Sequence, residues 1–406
     1  MTLGWRGTRW LVLCIAVVLS VGTQLALSMR ALSTPGSVAP LRDYKMVVWS
    51  PVRGLLAGFN PYDPMATEYF NQFGNGTTGL HPPSLWLVTS PLVIAPPDVS
   101  YLMFVVLSVL AMWGAALLLI PPVNRRALVW VVVAGFVLVF SGPGGEMLLL
   151  GQVVPFIVLG LALVLRSRGS WAGAVGVAAL MINPQFGLGF CLLLWPLGFR
   201  KDVIRGLILT AVLSLPVAVL AIVNAGGPVA FMHSIGRELK FLDGAGNAIN
   251  RLDLPGRYAT GSLLVSLLGI GVVVLGAWWL FRTRPAMSDE LALGMASLLL
   301  LVGYSMPYNL PVVIAVGLAV LYRATRWGSV EWVTAGLIVL SVLVSLPPLE
   351  WVTGMLDVSI GAVWLAFTLL AGVLLIAIVV SAATRLRGQV SDERQPAQAG
   401  EPSALA

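Results

Sequence analysis

Apolar residues run in long blocks along this chain, divided by short clusters of arginine and by turns rich in Gly and Pro. A helix needs about 20 consecutive apolar residues to cross hydrocarbon. Blocks of roughly that character fall at 10–29, 99–120, 127–141, 146–165, 171–183, 185–198, 203–222, 257–281, 287–303, 308–322, 330–346 and 358–381. The pattern predicts an all-α, polytopic membrane helix bundle with twelve spans. Several blocks are short and require local bilayer thinning or burial among neighbours. The apolar, Pro-rich stretch 82–97 reads as a re-entrant or surface element rather than a full span.

Composition supports the same class. Of the 406 residues, 58% are hydrophobic and 10% charged, against roughly 25% charged in a soluble domain. One membrane domain over 1–384 follows, with a polar, Pro/Ala-rich tail at 385–406 that cannot bury a core and is expected to be a disordered cytoplasmic extension. The block 10–29 follows Arg6 and Arg9, is longer than a usual signal-peptide core and lacks an A-x-A site, so it reads as a retained anchor. Cys14 and Cys191 lie inside apolar blocks and read as small hydrophobes. The Trp residues, placed mostly near span ends, read as an interfacial belt.

The net charge of +7 does not point to nucleic acid, because the arginines sit between apolar blocks, where they set topology. With both termini cytoplasmic and 82–97 not crossing, the clusters Arg6/Arg9, Arg125/Arg126, Arg166/Arg168, Arg200/Lys201/Arg205, Arg282/Arg284, Arg323/Arg326 and Arg385/Arg387/Arg394 all fall inside the cell. The other eight cations fall in the two longest outer loops, 30–81 and 223–256, or at their edges: Arg30, Arg42, Lys45 and Arg53, then Arg237, Lys240, Arg251 and Arg257. Cations are scarce on the outer side of most membrane proteins. Their confinement to two loops suggests a site for an anion such as a lipid phosphate. Pairing with the acids of the same loops, Asp43, Asp63, Glu68, Glu238, Asp243 and Asp253, is the structural alternative.

The first outer loop is dense in chemistry. Val47, Val48, Leu55 and Leu56 recur at helical spacing, which predicts an interfacial amphipathic helix over 43–58. Asp43 opens that helix. Loop aspartates more often cap helices than act as bases, but a carboxylate beside Arg42 and Lys45 at the membrane surface could also bind charge and accept a proton from a hydroxyl.

The run from Asp43 through Gly58-Phe59-Asn60-Pro61-Tyr62-Asp63, then His81-Pro82-Pro83-Ser84-Leu85 and Ser90-Pro91-Leu92, resembles the opening of glycosyltransferase family 87. The likeness continues through Leu149-Leu150-Gly151-Gln152, through Ile182-Asn183-Pro184-Gln185, where the family usually has a Lys-Pro, and through Arg200-Lys201. It extends over roughly residues 10–325. Ser305-Met306-Pro307-Tyr308-Asn309 has Asn where some members carry His or Asp. The resemblance implies a GT-C membrane fold that transfers a sugar from a polyprenyl-phosphate donor at the outer face, with Asp43 as general base and inversion at the anomeric carbon. Mannose is the first donor expected and arabinofuranose the second, with a lipid glycan or polysaccharide as acceptor.

A phosphate leaving group needs positive charge rather than a protonating acid, and Arg42, Lys45, Arg53, Arg237, Arg251 and Arg257 are the candidates to supply it. Tyr62, His81, Glu146, Gln152, Asn183, Gln185, Tyr308 and Asn309 are the expected pocket residues. The sequence has no Walker A loop, H-E-x-x-H, Cys/His metal spacing or D-x-D pair, so neither metal nor cofactor is expected. The reading from another class is a lipid or sugar transporter. Such proteins carry inverted repeats and ionisable groups at mid-membrane, whereas here nearly every charge lies at a span end.

Overall fold

The computed structural model describes residues 5–34, 42–63, 81–244 and 311–323, and all regular structure among them is helical. The first long element is α1 (Trp5–Ser33). A composite segment follows, made of α2 (Arg42–Tyr44), a π-helical stretch (Lys45–Trp49) and α3 (Ser50–Leu56). Next come α4 (Pro83–Thr89), a 3-10 turn (Ser90–Ile94) and α5 (Pro97–Leu119). The chain continues through α6 (Arg125–Phe140), α7 (Gly142–Leu150), α8 (Val154–Arg166), α9 (Trp171–Leu180), α10 (Pro184–Leu194), α11 (Arg200–Asn224) and α12 (Pro228–Gly244). The last described helix is α13 (Pro311–Arg323).

Among the described residues three helices, in α1, α5 and α11, are long and apolar enough to cross a membrane, or four if α6 and α7, bent by 54°, form one broken span. Their outward faces carry Val18, Leu19, Leu110, Val212 and Leu215 bare, surface that suits lipid and not water. The expected spans 171–183 and 185–198 are helices of 10 and 11 residues. At about 1.5 Å per residue each is roughly half the hydrocarbon thickness. The expected continuous span 146–165 is instead broken after Leu150, because Gly151 adopts a left-handed conformation (φ 74°) and ends α7. The stretch 82–97 contains two short helical pieces of 7 and 5 residues.

α5 is the hub, packed against α1, α6, α8 and α13. Trp113 on α5 is fully buried, as are Trp86 and Trp49 in the first-loop region, so these three are core residues and not part of a belt. α8 and α9 approach through Gly160 and Gly176, where a Cβ on either would sit 2.6–2.7 Å from the other's carbonyl oxygen. Small residues at such a crossing let the backbones meet, the usual way helices associate in lipid.

Arginines gather at one end of the bundle. Arg9 donates to the Pro122 carbonyl (3.2 Å) and Arg125 lies over the Trp5 ring. Arg168 donates to Leu197 O (3.2 Å), and the buried Asp202 accepts from the Gly169 amide (2.9 Å), whose carbonyl takes a bond from Arg205 (3.0 Å). The first-loop segment lies at the opposite end. Its apolar side is covered by protein: Tyr44, Val48, Trp49, Val52 and Leu55 are buried, while Leu56 is exposed. The helix expected to lie on the membrane is thus wedged into the bundle on its main apolar face. The tail 385–406 and the expected spans beyond 323 lie outside the described residues.

Candidate active site

The site begins where α7 stops. Gly151 donates to Leu148 O (3.2 Å) and Gln152 to Met147 O (2.9 Å), the paired bonds of a Schellman motif. Pro155 then lies in the first turn of α8, a position where its missing N–H costs nothing. Tyr101 of α5 donates to Leu148 O (3.1 Å) and Leu149 O (2.9 Å), so carbonyls left bare by the break are satisfied. With its backbone committed to the turn, Gln152 extends its amide to Asp43, and Nε2 donates to Asp43 Oδ2. The orientation follows from chemistry, because an ionised carboxylate only accepts. Asp43 itself is half-buried in the first turn of α2.

Tyr44 holds that end of the segment in place. It is fully buried, its ring lies 5.0 Å from Phe104 and 5.9 Å from Tyr101, and a Cβ at Gly151 would come within 2.5 Å of its own Cβ. Only glycine meets both the left-handed backbone and this approach. Ser100 spends its proton on Leu92 O (2.7 Å), so the Tyr44 hydroxyl donates to Ser100 Oγ. Burial pushes the Tyr44 phenol up to about 12, which keeps that donor in place across the physiological range.

A second group forms around the far end of the segment. Tyr62 is buried between Trp86 (5.0 Å) and Phe231 (5.6 Å), and its hydroxyl donates to the His81 carbonyl (2.8 Å). Burial raises the Tyr62 phenol well above its usual range. Trp86 donates from Nε1 to Val47 O (2.9 Å), joining α4 to the first outer loop. The His81 ring contacts Ile182 O through Nδ1 (3.4 Å). A carbonyl only accepts, so Nδ1 carries the proton. Burial lowers this imidazole to about 4, partly opposed by that bond. His81 therefore sits at the α9–α10 corner, next to Asn183, which precedes α10 without a side-chain capping bond. Asn224, at the end of α11, donates to Leu55 O (3.0 Å) and Phe59 O (3.1 Å) and closes α3.

The cations divide. Arg237 pairs with Asp63 at 2.8 Å, the alternative that the loop acids offered. Arg53 lies over the Trp49 ring at 5.4 Å, and Lys45 is half-buried in the π-helical stretch. Glu146 is exposed on α7. Side chains of Arg42 and Gln185, together with Arg251, Arg257, Tyr308 and Asn309, lie outside what the structure describes. Sequence reasoning had passed over Tyr44, Ser100, Tyr101 and Asn224. Of these, Tyr101 and Asn224 read only as interior residues of apolar blocks or their ends. Among the described residues no group of three His, Cys, Asp or Glu is placed to hold a metal ion.

Residues 80–306 match glycosyltransferase family 87. The chain belongs to that family. It is accordingly a membrane glycosyltransferase, an enzyme that moves a sugar from a donor to a glycan acceptor. No curated protein and no solved structure matches the chain. The family match takes in His81, Gln152, Asn183 and Arg237, and the Asp43 segment lies before its first residue. The family's matched region thus supplies Gln152 to a carboxylate brought in by the preceding loop.

Proposed function

We propose that this glycosyltransferase transfers a hexose, mannose in the first instance, from a polyprenyl-phosphate donor to a lipid glycan or polysaccharide at the outer face of the cell membrane. Arabinofuranose is the alternative sugar on the same donor chemistry. The observation that carries this reading is the carboxylate of Asp43, half-buried at the end of the bundle opposite the arginine clusters and oriented by Gln152. In this reading twelve spans place both termini in the cytoplasm, and the arginine-rich end faces inward.

The chemistry needs one base. The acceptor hydroxyl attacks the anomeric carbon opposite the phosphate, its proton passes to Asp43, the new C–O bond forms, and the bond to the phosphate oxygen breaks with its electron pair. The polyprenyl phosphate leaves as an anion, and inversion results. Positive charge near the phosphate lowers this barrier, a role assigned to Lys45 and Arg53 with Arg42, Arg251 and Arg257; Arg237 already has Asp63. Tyr62, His81, Glu146, Asn183, Gln185, Tyr308 and Asn309 are proposed to shape the sugar and acceptor pocket.

The test is a purified-protein assay in lipid nanodiscs with defined polyprenyl-phospho sugars. Asp43→Asn and Asp43→Ala should abolish transfer while the protein still folds, Asp43→Asn keeping an acceptor for Gln152. Retention of full activity by Asp43→Asn removes Asp43 from the chemistry.

A further inference from the structure

A cavity of about 530 Å³ opens between the last turns of α1 and the α6–α7 bend. That volume lies in the range of about 300–1,000 Å³ typical of ligand sites. Its walls include Gln24, Ser28 and Arg30 from α1, Phe140 from α6, and Gly145 and Leu149 from α7.

The polar side chains facing it are mostly spent on the protein. Gln24 donates to Val139 O (3.2 Å), and Ser28 shares a bond with the Tyr101 hydroxyl (3.5 Å). Thr34, at the rim, donates to Arg30 O (2.9 Å). What remains for an occupant is largely hydrocarbon surface, with Arg30 as the cationic residue of the wall. Arg30 is exposed in the last turn of α1.

α7 connects this cavity to the candidate active site. Leu149 lines the cavity, and three residues on, past the left-handed Gly151, Gln152 holds Asp43. Leu27, also in the lining, is half-exposed on α1, an apolar side chain on the flank of a helix long enough to cross a membrane. An occupant with an apolar chain and one anionic group at its end fits each feature: chain against Phe140 and Leu149, anion against Arg30.

We infer that this cavity seats the isoprenoid chain of the lipid-phosphate donor, with Arg30 meeting its phosphate as the sugar reaches Asp43. The inference rests on the donor chemistry proposed above and adds the place and the residue. Gly145 is in the cavity wall and a Cβ there would meet nothing within 4 Å, so it is the position chosen for a side chain meant to reduce the cavity.

The experiment measures binding of decaprenyl phosphate, without sugar, to the full-length protein in detergent by native mass spectrometry, and transfer with a long-chain against a two-isoprene donor. Gly145→Trp and the milder Gly145→Leu should weaken decaprenyl phosphate binding at least tenfold and raise KM for the long donor. The short donor, whose two units also enter the cavity, should lose less than the long one. Arg30→Ala should weaken binding similarly and Arg30→Lys only slightly, a difference that a helix-dipole role for Arg30 would not produce in binding. Unchanged decaprenyl phosphate binding in both Gly145 variants overturns the inference, as does equal displacement of the ligand by phosphatidylglycerol, which would make the cavity a general lipid seat. Asp43→Asn should bind as the unsubstituted protein does. If the unsubstituted protein transfers from no polyprenyl donor yet the Gly145 variants lose binding, the donor reading falls and the lipid site stands.

Discussion

Gln152 donates a hydrogen bond to Asp43 Oδ2 across 109 residues of chain. The contact joins a turn between two helices to the first residues of a loop segment, and it fixes which way the carboxylate faces. A hydrogen bond to a charged group is worth about 1.5–3 kcal/mol, or roughly 10- to 100-fold in a rate. Gln152→Leu should therefore lower kcat by that order with little change in donor KM. Losing a donor that favours the ionised carboxylate should also move the acid limb of the pH–rate profile to higher pH. Gln152→Glu, which sets a second negative charge against Asp43, should be worse than Gln152→Leu. If Asp43 is only a helix cap, these variants will change the melting temperature and leave the pH profile in place.

The turn itself gives a second prediction. Gly151→Ala meets two obstacles, a backbone at φ 74° and a Cβ 2.5 Å from that of Tyr44. The left-handed conformation alone costs a residue with a Cβ about 1–2 kcal/mol, and the clash adds to it. Thermal unfolding in detergent should drop by several degrees and transfer should fall with it. Gly145→Ala, six residues earlier within α7, where an added Cβ meets nothing within 4 Å, is the control and should melt no lower.

Asp43 and Gln152 were each legible as chemistry-bearing residues, but their partnership was not, since no periodicity relates a loop carboxylate to an amide 109 residues later. Helix positions were clearer. The expected block 99–120 is α5 (Pro97–Leu119), and Pro184 marks the start of α10 just after Asn183. The block 146–165 misled because apolar content stays high through the break. Only Gly151 and Pro155, the two residues that punctuate helices for opposite reasons, record it. The wedged packing of the 42–56 segment was hidden too: its apolar spacing is the same whether lipid or protein covers it, and Tyr44 and Trp49 decide for protein.

His81 sets a pH dependence. Its imidazole is lowered to about 4 by burial, against an ordinary value of 6.5. Between those values the unfolded chain binds a proton that the folded protein does not, so stability rises with pH across this window and is lost as pH falls through it. His81→Asn keeps an N–H for Ile182 O and removes the titration. Melting curves between pH 7 and pH 4 should converge, the unsubstituted protein losing more stability than the variant on acidification. Parallel curves would mean that the His81 ring is open to solvent.

Arg237 and Asp63 form an ion pair whose side chains are 48% and 25% exposed. A pair this open to water is worth about 0.2–1 kcal/mol, and salt screens it further. A double-mutant cycle with Asp63→Ala and Arg237→Ala should return a coupling in that range that shrinks at high salt. The pairing also bears on the donor. An arginine neutralised by a neighbouring carboxylate has less charge to give a phosphate, so Arg237→Ala should raise donor KM less than twofold, and less than Arg30→Ala does. The Asp63→Ala protein frees the guanidinium and separates the two roles. If Arg237 acts only on Asp63, donor KM in Asp63→Ala stays as it was. A KM that falls in Asp63→Ala and rises tenfold in Arg237→Ala would instead make this arginine a phosphate ligand that Asp63 holds in check.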